Sequence, residues 1–413
     1  MFGAAIEQVF RLEGARVLAG LIRRFGSFEL AEDALQDACA KAIEVWPREG
    51  LPERPAAWLT TVAQRRALDQ LRRRRGAELP LDELPELAAE AVEPSAADGS
   101  SVDDDRLRLL FTCCHPALGH GAQVALALRT LCGLSTAEIA RAHVEPEATT
   151  AQRLVRAKRK IAEAHIPYDV PPRELLGERL AAVLGVVYLV FNEGYLGTDS
   201  PGLLRPDLCA EGIRLGRLVN ELLPGRAEAE GLLALMLLHD ARRDARSNAQ
   251  GMLVPLEEQD RGLWHAARIR EGLAWLDDAL ARREPGAFQL QAAIAALHVR
   301  AASAADTDWK QIAALYGALH RLQPTAVVEL NAAVATAMAE GIEVGLQWVD
   351  AIAQRGELSD YHLVAAARAD LLRRCGRNAD AALAYRAALE QVRNPAERAY
   401  LERRLSEVRG GRG

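Results

Sequence analysis

Apolar residues recur at helical spacing along most of this chain. Over Ala4 to Phe25 they fall at Ile6, Val9, Phe10, Val17, Leu21 and Phe25, one face of an amphipathic helix. A second helix is predicted from Leu30 to Trp46. Leu35, Ala38, Ala42, Ile43 and Trp46 form its inner face, and Glu32, Asp33, Gln36 and Asp37 lie opposite. Pro47 is expected to end it. The stretch Pro47 to Pro55 holds three prolines and a glycine, which reads as loop. A third helix starts near Pro55, where a first-turn proline is tolerated, and runs through Trp58, Leu59, Val62, Leu68 and Leu71. The pattern then lapses over Gly76 to Asp105. It resumes at a short helix introduced by Gly133-Leu-Ser-Thr-Ala-Glu-Ile-Ala140, followed by a longer one opened by Pro146 and Glu147. Residues 170–413 read as helix after helix, so the fold class is all-α.

The short helix carries its own start signal. Ser135 and Glu138 have capping-box spacing, and Leu134 and Ile139 are placed for the matching hydrophobic staple. The following helix buries Leu154, Ala157 and Ile161 and turns Gln152, Arg153, Arg156, Lys158, Arg159 and Lys160 to solvent. A capped short helix, a turn and a basic second helix make a helix-turn-helix, whose second helix enters a major groove. Near the C-terminus, Gly341 and Gly376 stand 35 residues apart, each closing a first helix. Ala381, Tyr385 and Ala388 fit the small-aromatic-small pattern of a tetratricopeptide second helix, and Tyr316 with Pro324 suggests an earlier, weaker copy. Before residue 300 a plain helical bundle fits as well.

Charge sharpens this organisation. The net charge of −6 is segregated: residues 1–75 carry +3, residues 76–105 carry −10, residues 106–168 carry +5 and the remainder −4. The predicted domains are therefore 1–75, a flexible acidic linker 76–105, a helix-turn-helix domain 106–168 and a helical repeat domain 169–413. Two basic modules on an acidic tether point to a polyanion contacted at two places. In the first module Arg65, Arg66 and the run from Arg72 to Arg75 lie along one helix, a phosphate-contacting pattern.

Other chemistry is thin. Cys113-Cys114-His115 with Cys132 lacks the paired spacing of a zinc site, so these cysteines are read as buried packing and no metal or cofactor is expected. Six irregularly spaced cysteines suit a reducing cytosol. The N-terminus lacks a signal-peptide pattern, and the longest apolar run, Leu180 to Phe191, is too short to span a bilayer. The chain is expected to be cytoplasmic. No nucleophile–base pair or phosphate-cradling loop argues for an enzyme. Asn192-Glu-Gly-Tyr195 and His239-Asp-Ala-Arg-Arg243 are either helix caps and buried ion pairs or a small-ligand pocket.

The two basic modules resemble the sigma-2 and sigma-4 domains of bacterial RNA polymerase sigma factors of the extracytoplasmic-function group (sigma-70 family, group IV). The residues that carry this are Glu32 to Ala38, Trp46-Pro47, Pro55 to Ala63, Arg66 to Asp69, Leu71 to Arg73, Gly133 to Ala140 and Ala151 to Ile161. The tail resembles the branch with a fused tetratricopeptide-like extension, through Phe111 to Pro116, Phe191 to Tyr195, Asp240 to Arg243 and Gln289 to Ile294. The resemblance implies core RNA polymerase as partner, through its β′ clamp helices and β flap, and promoter DNA. It assigns polymerase binding to Glu32, Asp33, Gln36 and Asp37. The −10 element falls to Trp58, Gln64, Arg65, Arg66, Arg72 and Arg73. The −35 element falls to Thr149, Thr150, Gln152, Arg153, Arg156, Lys158, Arg159 and Lys160. His143 and Glu145 depart from the apolar residues usual at the turn. The tail is expected to receive a protein or small-molecule signal and regulate in cis. The competing reading is a ligand-sensing helix-turn-helix regulator that binds an operator without polymerase, which leaves the first module unexplained. A third is a tetratricopeptide scaffold with incidental basic segments.

Overall fold

The computed structural model describes residues 2–74, 99–142, 146–196, 206–248, 252–392 and 394–410. They are predominantly helical. No strand occurs among them, and an isolated antiparallel bridge pairs Ser247 with Leu253. The chain divides into two compact units, Met1–Leu189 and Val190–Gly413.

The first unit opens with three mutually packed helices, α1 (Phe2–Phe25), α2 (Phe28–Glu49) and α3 (Pro55–Arg74). Ser27 caps α2 by accepting a hydrogen bond from the Leu30 amide at 3.3 Å. The buried face of α2 is Leu30, Ala31, Ala34, Ala38, Ala42 and Trp46. Four alanines at helical spacing let its neighbours approach closely, and Trp46 fills the end of the core. Its ring lies 5.7 Å from Phe10 and 5.3 Å, edge-on, from Trp58. Two expectations need correction. Pro47 does not end α2. It sits in the last turn, where its missing N–H removes one bond, and the helix stops at Gly50, whose φ of 90° suits glycine and whose amide donates to the Trp46 carbonyl at 2.9 Å. Ile43, expected inside, is 58% exposed, because the alanine stripe lies to one side of it.

Four more helices follow: α4 (Gly99–Cys113), α5 (His120–Thr130), α6 (Thr136–Ala142) and α7 (Glu147–Glu163). Most of the predicted linker, residues 76–98, lies outside the described residues, as do His143 and Glu145. From Gly99 onward the expected linker is already helix. Its last acid, Asp105, is buried and pairs with Arg23 and Arg108, each at 3.0 Å. The Tyr168 hydroxyl donates to the Ala19 carbonyl at 2.9 Å and lies 3.1 Å from that of Asp105. Thus the two basic segments, expected as bodies that settle independently on a long tether, pack together within one unit. The reason is local: α4 lies along α1, and a buried carboxylate between arginines from both segments joins them.

Helix α8 (Arg173–Leu196) carries the division between the units. The second unit continues with α9 (Pro206–Leu222) and α10 (Ala227–Asp240), whose Leu232, Leu233, Leu235, Met236, Leu237 and Leu238 are all buried. Apolar on every side, α10 is covered by α9, α11 (Ala266–Ala281) and α12 (Ala287–Arg300). The Glu228 carboxylate caps α12, accepting from the Phe288 and Gln289 amides at 3.1 Å each. The remaining helices are α13 (Trp309–Leu322), α14 (Ala326–Glu340), α15 (Ile342–Arg355), α16 (His362–Arg374), α17 (Asn378–Gln391) and α18 (Pro395–Gly410). Consecutive helices pack on one another, with α14 against α15 across Gly341 and α16 against α17 across Gly376. Gly345 is required by packing, since a Cβ there would stand 2.3 Å from that of Ala337. Ala381, Tyr385 and Ala388 are all buried.

Candidate nucleic-acid interface

The chemistry singled out in the sequence lies on α2, α3 and α7 of the first unit. Because one face of α2 is committed to the core, Asp33, Gln36 and Asp37 project outward and are exposed. Glu32 does not share that face. Its side chain is only 12% exposed and lies against cations from the second basic segment: Arg129 donates to it from Nε at 3.2 Å, and Lys158 from Nζ. Glu32 and Lys158 were assigned to polymerase and DNA respectively. In this arrangement they satisfy each other, because a half-buried carboxylate requires charged donors.

On α3, Arg65, Arg72 and Arg73 are exposed, while Gln64 and Arg66 are half-buried. Trp58 is held edge-on against Trp46 and keeps part of its ring at the surface. Asp69 sits 3.8 Å from Arg72, a loose pair on an exposed surface.

Helix α6 begins with the anticipated reciprocal cap. The Ser135 amide donates to Glu138 Oε2 at 2.7 Å, and the Glu138 amide donates to Ser135 Oγ at 3.2 Å. Leu134 and Ile139 are both buried beside it. Pro146 is the N-cap of α7, so the helix starts at Glu147, one residue later than expected. The buried stripe of α7 is Thr150, Leu154, Ala157 and Ile161. Thr150 was placed among the DNA contacts. Fully buried, it lies one turn before Leu154 on the core stripe and presents nothing to a groove. Thr149, Gln152, Arg156, Arg159 and Lys160 are exposed, and Arg153 is half-buried. Arg159 pairs with Glu163 at 2.6 Å on the open side. Thr149, Gln152, Arg153, Arg156 and Lys160 line one shallow depression of about 470 Å³, closed on its far side by the start of α5. Sequence spacing gave the face; the depression needs α5, which the sequence did not relate to α7.

The cysteines are interior. Cys113, Cys114 and Cys132 are all buried, and Cys113 Sγ lies 3.1 Å from Thr130 Oγ1. Burial pushes the Cys113 thiol up to about 12 and that of Cys114 well above the ordinary value, so both stay protonated. Among the described residues no group of three or more His, Cys, Asp or Glu is placed to hold a metal ion. The Phe111 to Pro116 string is a packing device. Phe111 is buried, its carbonyl accepts from Arg179 Nη2 at 2.7 Å, and the His115 carbonyl accepts from Gln123 Nε2 at 2.9 Å.

Sequence reasoning missed Asp105, Arg129 and Tyr168. Asp105 was hidden in an acidic run that reads as solvated, and nothing marks a carboxylate that will be buried by a partner distant in sequence. In the second unit, the two strings left open between caps and a ligand pocket do meet. The rings of Tyr195 and His239 lie 4.9 Å apart, edge to face.

Comparison with known proteins fits this geometry. Residues 9–77 match the family Sigma-70 region 2, and residues 179–280 match a family of unknown function, DUF6596. The Probable ECF RNA polymerase sigma factor SigI of Mycobacterium tuberculosis is 27% identical over 174 residues, 41% of this chain and 58% of its own length. An uncharacterized protein of Rhizobium meliloti (strain 1021) is 44% identical over 398 residues, 95% of this chain and 93% of its own length. No solved structure matches. The N-terminal helices are thus a sigma-70 region 2 domain, followed by a large all-helical region, and the chain is sigma-factor-like. It belongs to the family of the Rhizobium meliloti protein, which it matches along nearly its whole length. Among the described residues no helix is long and apolar enough to cross a membrane.

Proposed function

We propose that this chain is a sigma factor of the extracytoplasmic-function group, acting in the cytoplasm without enzymatic activity of its own. It binds core RNA polymerase and directs initiation at bipartite promoters. A fused helical extension of tetratricopeptide-like character regulates it in cis. The observation that carries this is the region 2 match on α1 to α3, joined in one chain to a second outward-facing basic helix that follows a capped short one.

The roles follow from exposure and charge. Asp33, Gln36 and Asp37 offer an acidic, solvent-facing stripe to the polymerase clamp. Trp58, Gln64, Arg65, Arg66, Arg72 and Arg73 receive the melted −10 strand, where cations track phosphates and a partly open ring gives a base something to stack on. On α7, Thr149, Gln152, Arg153, Arg156, Arg159 and Lys160 face the −35 duplex, bases at the N-terminal end and phosphates further along. Thr150 is left out, being part of the core. Glu32 and Lys158 act instead as a latch: Glu32 of the first segment grips Lys158 and Arg129 of the second, so both sigma domains occupy two distant promoter elements only after this bridge opens.

Run-off transcription with purified core polymerase tests the proposal. Initiation at one or more genomic promoters, dependent on added protein, is expected. Tight, polymerase-independent binding to a duplex operator, with no added initiation, would replace it by the regulator reading.

A further inference from the structure

Among the described residues of the second unit, a group of cations is left unbalanced by carboxylates. Three segments converge: the end of α8 with Tyr195, the end of α10 with His239, and the turn after it with Arg242 and Arg246. Neighbouring charges there are conventionally paired. Asp240 is buried between Arg268 and Arg243, and Asp244 pairs with Arg243 and His265. Arg242 and Arg246 are different. They are 8% and 9% exposed, and among the described residues no carboxylate lies within ion-pair distance of either.

Their partners are neutral. Arg242 Nη2 donates to the Tyr195 hydroxyl at 3.3 Å and lies 3.4 Å from His239 Nδ1. Arg246 Nη1 donates to the Tyr195 carbonyl at 2.5 Å, and its guanidinium stacks on the Tyr195 ring at 3.7 Å. Arg242 Nε is buried with no hydrogen-bond partner. Glu397 acts on Arg246 only from beyond ion-pair distance. Burial and the two arginines push His239 well below its ordinary pKa, so it brings no further proton. Phe191, stacked on Tyr195 at 5.5 Å, fixes the ring that both arginines use.

Burying one unpaired guanidinium is costly, and burying two side by side adds their mutual repulsion. A counter-anion relieves both costs. We propose that Arg242, Arg246 and Tyr195 form a binding site for the phosphoryl group of a small molecule. The charges decide the class: two guanidinium groups match the roughly −1.5 to −2 of a phosphate monoester better than a single carboxylate does. The donors agree. Guanidinium suits planar, bidentate recognition of phosphate oxygens, Arg242 Nε has no hydrogen-bond partner, and the Tyr195 hydroxyl, which accepts from Arg242, has its O–H left to donate. This site does not depend on the sigma-factor reading and survives if that reading fails.

The test uses the full chain, with inorganic phosphate as probe and succinate as the carboxylate control at matched ionic strength, followed by calorimetry and thermal unfolding. Saturable binding of one phosphate per chain is expected, with a rise in Tm and weaker binding of succinate. Arg242→Gln and Arg246→Gln should each weaken phosphate binding at least ten-fold and, by removing an uncompensated charge, leave the anion-free Tm unchanged or higher. A purely structural arginine would lower it. Arg217→Ala, in an exposed pair with Glu271, should change nothing. If an arginine variant does not fold, Tyr195→Phe decides: it removes one hydroxyl and should weaken phosphate binding with the helical circular-dichroism signal intact. Absence of saturable phosphate binding, preference for succinate, or binding unchanged in the variants that fold would overturn the proposal.

Discussion

Two sets of arginines, one in each unit, sit in opposite environments. In the first, Arg65, Arg72, Arg73, Arg156 and Lys160 stand in water on α3 and α7, and the buried positions of those helices hold alanine, leucine, isoleucine and, on α7, Thr150. In the second, Arg242 and Arg246 are drawn into the fold against Tyr195 and His239. Exposed cations are cheap to maintain and attract a large polyanion over a distance, with an affinity that falls as salt rises. Buried cations are expensive and respond to a small counterion that fits. Similar residues thus point to a long polymer in one unit and to a compact anion in the other. The first unit also holds an intermediate case: Glu32, Arg129 and Lys158 are paired where the two basic segments meet.

This contrast can be broken in order of expected effect. The largest concerns pH. His298 is half-buried beside Trp309, and burial with Arg242 and Arg261 lowers it from 6.5 to about 4. Below pH 6.5 the unfolded chain therefore takes up a proton that the folded chain refuses. This stability is fully present above pH 6.5, falls as the pH drops toward 4, and stays level below it. The loss amounts to about 3 kcal/mol from this residue, and His239 acts in the same direction. Denaturant unfolding of the wild type and His298→Gln between pH 4 and 7 should show a shallower pH dependence in the variant. Equal slopes would remove the charged interior from the comparison.

Next comes the latch. Glu32→Gln should cost about 2 kcal/mol in the first unit, because it weakens two charge-assisted hydrogen bonds at one carboxylate. It should also raise affinity for a −35 duplex, since Lys158 is released. A variant that instead loses polymerase affinity with unchanged duplex binding would return Glu32 to the clamp-binding set. Third, Arg156→Ala combined with Lys160→Ala should weaken promoter binding about ten-fold and reduce the salt dependence by roughly one to two phosphate contacts. A binding isotherm unaffected by salt in the wild type would contradict the outward face altogether. The smallest effect is Ser135→Ala, which removes the reciprocal cap on α6 and should destabilise the first unit by about 1 kcal/mol, read from the urea midpoint.

Legibility in the sequence followed the range of the interaction. Helical class, the capping box, the buried stripe Leu154–Ala157–Ile161 and the outward row on α7 all depend on residues within a few positions of each other, and they read directly. The error at Pro47 came from treating proline as a stop at the last turn, where a missing N–H costs little. Thr150 was misplaced because a small polar residue at a helix start suits groove and core alike; its spacing of four from Leu154 was the available signal. The acidic run misled at Asp105 because charge density argues for solvation on average and cannot single out the one carboxylate that finds two arginines.

Sequence alone determined the helices, their caps, the segregation of charge and the candidate faces, since each arises from periodicity or from bonds a few residues apart. The tertiary structure decided which charges are spent internally. Glu32 meets Lys158 across 126 positions, Arg23 meets Asp105, and Tyr195 meets Arg242 across 47. Electrostatic free energy depends on separation in space and on exclusion of water, and neither is fixed by order along a chain.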